Sequence, residues 1–335
     1  MENPYASTVI WRDPTPEEIE ERYERQKIIR DKLPNENRPS IAWLMSFPNS
    51  GTSYTMRLVN IDSNMTVATN YPLEAKFGIR YTLYNQSSSE FPPYILHSNL
   101  TLPQRYIMTK THCTGYCTLC PPVKYTNITI QDFLDDCRSS RDSNFGAYDR
   151  YAIGRVEKAI HLMRHPIDNI VSNYNLQRKK FLRNNSTSLL EVFTNDQQGF
   201  LKMCEASDNQ WRKQEKKIFQ DNYKDVRKVR CHALIHRWIL WHNRAFEVLH
   251  TILKIPTLNI WYEDYGVNAK KEREKLFKFL DLEAVFDYVI FESGKTYLDY
   301  FTTEERHQIM AFIKTYARPE VWEMVQRYAE DGTAP

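Results

Sequence analysis

The chain has 335 residues, of which 41% are hydrophobic and 26% are charged, and only nine are glycine. Such a composition supports a globular core and excludes disordered, fibrous and repeat proteins. The net charge of +3 is too small for a generic nucleic-acid binder. No apolar run approaches the roughly 18 residues of a membrane span, and residues 1–30 are polar and acidic. We therefore expect neither a membrane span nor a signal peptide in this chain.

Residues 1–39 are predicted to form a helical lead-in. Within them, Pro14–Leu33 is rich in Glu, Arg and Lys with isolated apolar positions, and it begins at a Thr-Pro cap. Residues 40–330 are predicted to form a single domain. Inside that domain, residues 73–104 contain few apolar repeats and many Tyr, Pro, Ser and Asn side chains. This composition predicts a long loop that acts as a lid or contributes to substrate binding.

Four short apolar runs have the length of buried strands. They predict strands at Ser40–Ser46, Tyr106–Thr111, Ala159–Met163 and Thr257–Tyr262. Helical spacing predicts helices at Tyr54–Val59, Ile167–Phe181, Ser188–Ala206, Tyr223–Leu253, Ala269–Leu280 and Thr302–Tyr316. Because strands and helices alternate along the chain, we predict an α/β fold with a central, mainly parallel sheet flanked by helices.

The six cysteines leave three interpretations open. Cys113, Cys117 and Cys120 lie close together, while Cys137, Cys204 and Cys231 are scattered. The cluster is consistent with reduced thiols, with disulfides, or with a metal knuckle of the form C-x3-C-x2-C that has His112 or Cys137 as its fourth ligand.

Sequons favour a luminal compartment, because such tripeptides are N-glycosylation acceptors. They begin at Asn64, Asn85, Asn99, Asn127, Asn184 and Asn185. The same tripeptides arise by chance in an Asn-rich chain, so the localisation is open between the cytoplasm and a lumen.

A turn of small residues, Ser50–Ser53, joins the first predicted strand to the helix that follows it. In such a unit the backbone N–H groups at the helix N-terminus carry partial positive charge, so phosphate binds there readily. Gly51 allows close approach of an anion and a positive φ, and the three hydroxyls add donors. The turn is not a Walker A loop, because it lacks the Gly-Lys-Ser/Thr triplet. A plain helix cap would give the same pattern.

A second candidate anion site lies at the end of the third predicted strand. Arg164 ends this strand, and Ser172 follows eight residues later on the helix that begins at His165-Pro166. Ligands gather at the carboxyl ends of parallel strands, and the planar guanidinium group suits a phosphate. A surface arginine with an incidental serine is the alternative.

Lys110 and His112 stand two residues apart at the end of the second predicted strand. Side chains at positions i and i+2 of a strand lie on the same face. A cation and an imidazole at the same sheet edge as two phosphate sites indicate chemistry, in which Lys110 stabilises negative charge and His112 removes a proton. A structural histidine is the alternative.

The turn and the arginine resemble those of the cytosolic-type sulfotransferase superfamily. Ser46–Tyr54 is similar to the loop in which that family binds the 5′-phosphosulfate of 3′-phosphoadenosine 5′-phosphosulfate (PAPS). Arg164 and Ser172 match, in identity and spacing, its 3′-phosphate-binding residues. The resemblance implies a P-loop-like three-layer fold and sulfuryl transfer from PAPS to an acceptor hydroxyl or amine. It also implies 3′-phosphoadenosine 5′-phosphate (PAP) as the product and no metal requirement.

Two further segments extend the resemblance. Lys110-Thr-His112 is similar to the segment that contains the family's catalytic base, which implies that His112 takes the acceptor's proton while Lys110 stabilises the leaving phosphate. Tyr262-Glu-Asp264 resembles the family's Tyr-Glu-Asp segment. The motifs occur in the family's order between about Ile41 and about Glu305.

The resemblance also implies which residues of this chain bind the nucleotide. They are Asn49, Ser50, Gly51, Thr52, Ser53, Tyr54, Arg164, Ser172 and Lys295. Tyr54 stands where the family commonly has an adenine-stacking tryptophan, and Lys295 lies in the nearest counterpart of a late basic segment. Asn49 replaces a basic residue of the family's loop, so one cation near the leaving phosphate is missing.

Two other functions compete with sulfuryl transfer. A P-loop-like nucleotide kinase is disfavoured because the turn lacks the loop lysine and no Mg²⁺-binding carboxylate stands close to Ser46. A catalytically weak nucleotide-binding protein stays possible because of Asn49. The acceptor is open between a small molecule, for which the aromatic residues of segment 73–104 would form a pocket, and a glycan.

Overall fold

A computed structural model describes residues 39–71, 80–82, 103, 105–115, 122–141, 148–151, 153–287, 289–291 and 296–329. Most of the predicted helical lead-in and most of segment 73–104 lie outside these ranges, as does Lys295. Across the described ranges, every helix is too short or too polar to cross a membrane.

The core of the molecule is a six-stranded sheet in which every neighbouring pair is parallel. Its strands are β1 (Ser40–Ser46), β2 (Val67–Thr69), β3 (Arg80–Thr82), β4 (Tyr106–Thr111), β7 (Val156–Met163) and β8 (Thr257–Trp261). They are arranged in the order β3-β2-β4-β1-β7-β8. A separate antiparallel hairpin consists of β5 (Ser139–Arg141) and β6 (Tyr148–Arg150). The predicted α/β fold with a parallel sheet is therefore confirmed.

Twelve α-helices occur in the described ranges. They are α1 (Thr52–Ser63), α2 (Val123–Thr126), α3 (Ile130–Cys137), α4 (Pro166–Arg183), α5 (Thr187–Val192), α6 (Gln197–Trp211), α7 (Glu215–Phe219), α8 (Tyr223–Val226), α9 (His232–Phe246), α10 (Asp264–Leu280), α11 (Thr303–Tyr316) and α12 (Pro319–Val325). A π-helical segment, Glu247–Ile252, continues α9.

The central strand β1 shows why the fold has three layers. Ile41, Trp43 and Met45 point into a cluster that includes residues of α4, α6, α9 and α11. Ala42 and Leu44 point into the opposite cluster, which is built mainly from α1 and α10. Both faces of the sheet are therefore buried, and this explains why the strand is apolar throughout rather than alternating.

The order of the strands determines where a ligand can bind. From β1 the chain passes to β2, β3 and β4 on one side of the sheet, and only later to β7 and β8 on the other. The carboxyl end of β1 is therefore a topological switch point, where ligands bind in open α/β sheets. The segments that follow β1, β4 and β7 contain Ser50, His112 and Arg164 respectively.

Two predicted helices are interrupted in the structure. One continuous helix is predicted at Ser188–Ala206, but the structure has two helices there, α5 and α6. The carboxylate of Asp196 accepts the N–H of Gly199 at 2.8 Å and caps the start of α6. The prediction Tyr223–Leu253 is wrong at Cys231, which adopts a φ of 62°. Within the predicted loop 73–104, residues 80–82 instead form β3 and pair with β2.

Disulfides resolve the state of four cysteines. Cys113 is bonded to Cys137, and Cys204 is bonded to Cys231. The interpretations of these four residues as reduced thiols or as ligands of a metal knuckle are therefore wrong. In the part of the chain that the structure describes, His, Cys, Asp and Glu side chains form no cluster able to hold a metal ion. Disulfides of this kind are typical of oxidising compartments.

Candidate functional site

The turn between β1 and α1 has the backbone of an anion-binding loop. Asn49 has a φ of 67° and Gly51 has a φ of 97°. Positive φ values in such turns are typical of backbone concavities that bind anions. The N–H groups in the first turn of a helix have no intrahelical acceptor, and those of Thr52 and Ser53 have none elsewhere among the described residues. Ser53 is exposed and Thr52 is buried.

Helix α4 stabilises this turn through hydrogen bonds from one of its side chains. The side-chain amide of Asn169 donates to the Pro48 carbonyl at 3.1 Å and to the Ser50 hydroxyl at 2.9 Å. The Ser50 hydroxyl in turn donates to the Phe47 carbonyl at 2.7 Å. The proton of Ser50 is thus used within the turn, so in this structure its hydroxyl maintains the shape of the turn.

Arg164 connects the two predicted anion sites. Its Nη1 donates to the Asn49 carbonyl at 2.9 Å, and its guanidinium lies 4.8 Å from the centre of the Tyr262 ring. The side-chain nitrogen of Asn49 is buried and has no acceptor among the described residues. Because a buried donor without an acceptor is unfavourable, this nitrogen suits a ligand oxygen at the turn.

Gly51 is required by the packing as well as by its backbone angles. A Cβ at this position would lie 2.1 Å from Cδ2 of Tyr262, the residue that follows β8. The Tyr262 ring therefore packs directly on the backbone of the turn. This contact brings the end of β8 to the same edge as the ends of β1 and β7.

The side of α4 that faces residues 296–297 contains Asp168 and Ser172, one turn apart. The Asp168 carboxylate accepts the N–H of Tyr297 at 2.6 Å, and Asn175 donates to the Tyr297 hydroxyl at 3.2 Å. Burial raises the pKa of Asp168 to about 6, although the Tyr297 N–H and the nearby Arg164 act in the opposite direction. Ser172 is half-buried.

His112 is held in one orientation by its neighbours. Its Nδ1 lies 2.8 Å from the Ser46 carbonyl and 3.1 Å from the Ser46 hydroxyl. Because a carbonyl only accepts hydrogen bonds, Nδ1 carries a proton, and in the neutral imidazole the lone pair is therefore on Nε2. The His112 N–H donates to the Tyr71 hydroxyl at 2.7 Å, and the Trp241 indole donates to the His112 carbonyl at 2.8 Å. This tautomer is the one that a general base at Nε2 requires.

Tyr71 also brings Lys110 and His112 together. The Tyr71 and His112 rings are stacked, with centroids 5.7 Å apart and an interplanar angle of 19°. The Lys110 ammonium lies 5.6 Å from the centre of the Tyr71 ring. Lys110 and His112 are only 4% exposed, so a cation and an imidazole are buried around one aromatic ring at the end of β4.

Tyr54 packs inside an aromatic cluster. Its ring lies edge to face with Tyr265 at 4.9 Å and with Phe291 at 5.0 Å. Its hydroxyl is buried with no hydrogen-bond partner in the part of the chain that the structure describes, and burial raises its pKa to about 12. In this structure Tyr54 thus belongs to the packing between α1 and the start of α10.

Sequence reasoning missed several residues that shape the site. Glu263 holds the turn after β7, because its carboxylate accepts the His165 N–H and the Tyr328 hydroxyl, each at 2.8 Å. Tyr71 and Trp241 contact His112, and Asn169 contacts the turn. Glu263 lies in the Tyr-Glu-Asp segment, so that motif was a usable signal. Tyr71 follows a three-residue strand and has no comparable signal.

The assembled site lies at one edge of the sheet. It combines an anion-binding turn, a buried arginine, a buried lysine and a histidine in a defined tautomer. Such a site can bind a polyphosphorylated ligand and remove a proton from a second molecule. No protein-family model matches this chain, and no curated protein matches it.

Proposed function

We propose that this protein is a sulfotransferase that moves the sulfuryl group of PAPS to an acceptor hydroxyl or amine and releases PAP. The supporting observation is the hydrogen bond from Arg164 to the Asn49 carbonyl, which joins the turn after β1 to the end of β7. PAPS carries anionic groups at its 5′ and 3′ positions. Two linked anion sites at one sheet edge suit such a nucleotide better than a single phosphate loop does.

In this proposal the turn binds the 5′-phosphosulfate. The N–H groups of Thr52 and Ser53 and the buried side-chain nitrogen of Asn49 donate to its oxygens. Arg164 and Ser172 bind the 3′-phosphate. Tyr54 and Lys295 are the proposed contacts to the adenine and to the 3′-phosphate.

The proposed reaction is a direct in-line transfer. The acceptor oxygen or nitrogen forms a bond to sulfur as the bond from sulfur to the bridging phosphate oxygen breaks, and that oxygen keeps the electron pair. His112 Nε2 takes the acceptor's proton. Lys110 and the N–H groups of the turn stabilise the charge that develops on the leaving phosphate. The scheme uses no metal ion.

Calorimetric titration with PAP tests this proposal. We expect the unmodified chain to bind PAP, and we expect Arg164→Ala to weaken that binding roughly 10- to 100-fold, because charge-assisted hydrogen bonds are lost. Arg105→Ala is the matched control, since Arg105 is exposed at the start of β4, at the opposite sheet edge, and pairs with Asp281. Thermal melting of both variants verifies that they are folded.

Titration with ATP and Mg²⁺ separates the competing functions. Tighter binding of ATP–Mg²⁺ than of PAP would favour the nucleotide kinase and overturn the sulfotransferase. PAP binding without transfer from PAPS to any acceptor would favour a nucleotide-binding protein that has little activity. In that case Asn49→Lys, which restores a cation to the turn, is expected to raise turnover.

A further inference from the structure

The segment between residues 212 and 230, here called the basic segment, concentrates positive charge. It contains eight basic and three acidic side chains, a formal charge of +5, whereas the whole chain carries +3. The rest of the chain therefore carries −2 in total. A local field of this sign attracts polyanions even though the net charge of the molecule is small.

Most of these cations are available to a partner. All eight basic side chains belong to exposed residues. Three of them form ion pairs, between Arg227 and Glu215, Lys228 and Asp225, and Arg230 and Glu305. The other five form no ion pair with the described residues. They are Arg212, Lys213, Lys216, Lys217 and Lys224.

The basic segment is held on a rigid frame. The Cys204–Cys231 disulfide closes the loop that contains it. The carboxylate of Asp208 accepts the N–H groups of Cys231 and Ala233 at 3.1 and 2.9 Å, and Phe219 is buried against Trp211. Because the backbone is fixed, the cations project from a stable surface, and binding costs less ordering entropy than a flexible tail would.

Helix α9 connects the basic segment to the candidate site. It begins at His232, immediately after the segment, and Trp241 on this helix donates to the His112 carbonyl. Nine residues of helix span about 14 Å. Between these two points on α9, Arg237 is only 3% exposed and lines a small cavity together with Phe47, which precedes the turn after β1. Helix α9 therefore joins the basic segment to the neighbourhood of His112 within about 14 Å.

We propose that the basic segment docks an acidic polysaccharide, and that the acceptor of the proposed sulfotransferase is a glycan rich in carboxylates. This inference rests on the proposed function. A polyanion several sugars long spans the distance between the segment and His112, so that one hydroxyl reaches the base while neighbouring carboxylates bind lysines. The two disulfides support an oxidising compartment, in which such glycans occur.

Binding of unsulfated chondroitin, a uronate polysaccharide, tests the docking surface. The test variant changes Lys213, Lys216, Lys217 and Lys224 to Gln. At about 0.1 M salt, we expect the test variant to bind chondroitin roughly tenfold more weakly than the unmodified chain does. We also expect its affinity for chondroitin to depend less on the salt concentration. Neutral dextran is expected not to bind either protein.

The matched control changes Lys254, Lys270, Lys271 and Lys278 to Gln, four exposed lysines outside the basic segment. It removes the same charge and is expected to retain chondroitin binding within about twofold. Equal losses in both variants would overturn the proposal, because net charge alone would explain them. Tighter binding of single-stranded DNA than of chondroitin would also overturn it, in favour of a nucleic-acid partner.

PAP titration of the same proteins separates the two proposals. We expect the test variant to bind PAP as the unmodified chain does and, with PAPS and chondroitin, to show a raised KM and an unchanged kcat. Binding of PAP without binding of chondroitin would overturn this inference alone. Failure of the unmodified chain to bind PAP would overturn the proposed function, and the acceptor assignment with it.

Discussion

At the scale of single residues, the chemistry of His112 and of Asp168 depends on the groups that surround them. The Ser46 carbonyl determines which nitrogen of His112 carries the proton, and Tyr71 and Trp241 hold its backbone. Asp168 is 7% exposed and lies near Arg164 and Glu263. Both residues are held by groups from other elements of the fold.

Removal of the proposed base gives the first prediction. His112→Ala is expected to lower kcat roughly 10²- to 10⁴-fold, which is the usual contribution of a general base, and to leave PAP affinity nearly unchanged. The assay is transfer of labelled sulfuryl from PAPS to chondroitin, with PAP titration in parallel. His307→Ala is the control, because His307 is exposed on α11. Full turnover by the His112 variant would exclude its role as the base.

The raised pKa of Asp168 predicts that the stability of the protein depends on pH. Burial raises its pKa in the folded state from 3.8 to about 6, so the folded state binds this proton more tightly than the unfolded state does. Its contribution to stability is therefore full below about pH 4 and is lost as the pH rises through about 6. Asp168→Asn, which cannot ionise, is expected to gain stability relative to the unmodified chain over that interval, by about 1–3 kcal/mol.

Urea unfolding at several pH values between 4 and 7.5 measures this difference. Asp225→Asn is the control, because the exposed Asp225 pairs with Lys228, which lowers its pKa. Its variant is expected to show no trend between pH 5 and 7.5. A constant difference between Asp168→Asn and the unmodified chain would contradict the raised pKa.

At the scale of elements, the turn between β1 and α1 depends on contacts from two other elements. Asn169 of α4 bonds to it from behind, and Tyr262 after β8 packs on Gly51. Contacts from α4 and from the end of β8 therefore support the turn in the conformation that it has in this structure. The proposed binding of an anion by this turn would thus depend on the packing as well as on the local sequence.

Gly51→Ala tests this dependence. The added Cβ would meet the Tyr262 ring at 2.1 Å, and alanine is strained at a φ of 97°. We expect a loss of about 2–4 kcal/mol in the free energy of unfolding, measured in urea, together with weaker PAP binding. Gly154→Ala is the matched control, since a Cβ at Gly154 has no heavy atom within 4 Å. An unaffected Gly51 variant would mean that the Tyr262 contact is not maintained in solution.

At the scale of the whole molecule, the two disulfides connect different parts of the chain to the core. Cys113 follows His112 directly and is bonded to Cys137 at the end of α3. Cys204 and Cys231 enclose the basic segment. The first disulfide therefore lies beside the proposed base, and the second lies beside the proposed docking surface.

Replacing each disulfide by a pair of serines distinguishes these roles. The bonds close loops of similar length, with sequence separations of 24 and 27, so each pair is expected to cost about 3 kcal/mol of stability. Only the Cys113→Ser/Cys137→Ser pair is expected to lower kcat. Only the Cys204→Ser/Cys231→Ser pair is expected to weaken chondroitin binding. Identical effects of the two pairs on both readouts would contradict this division.

Elements with strong local patterns could be predicted from the sequence. The predicted bounds of β1 and β4 agree with the structure, because fully buried strands must be apolar along their whole length. The helix break at Cys231 depends on a disulfide and on a carboxylate from α6. The three-residue strands β2 and β3 exist through their pairing with neighbours, so local composition does not reveal them.

The same distinction applies to the site. Strand length and small-residue turns are local signals, so the α/β class and the positions of Ser50, His112 and Arg164 after strands are predictable from the sequence. Local signals do not reveal that α4 supports the turn, that Lys110 and His112 both lie against the Tyr71 ring, or that Tyr54 packs in an aromatic cluster. These contacts join residues far apart in the chain, and their geometry depends on how the layers pack.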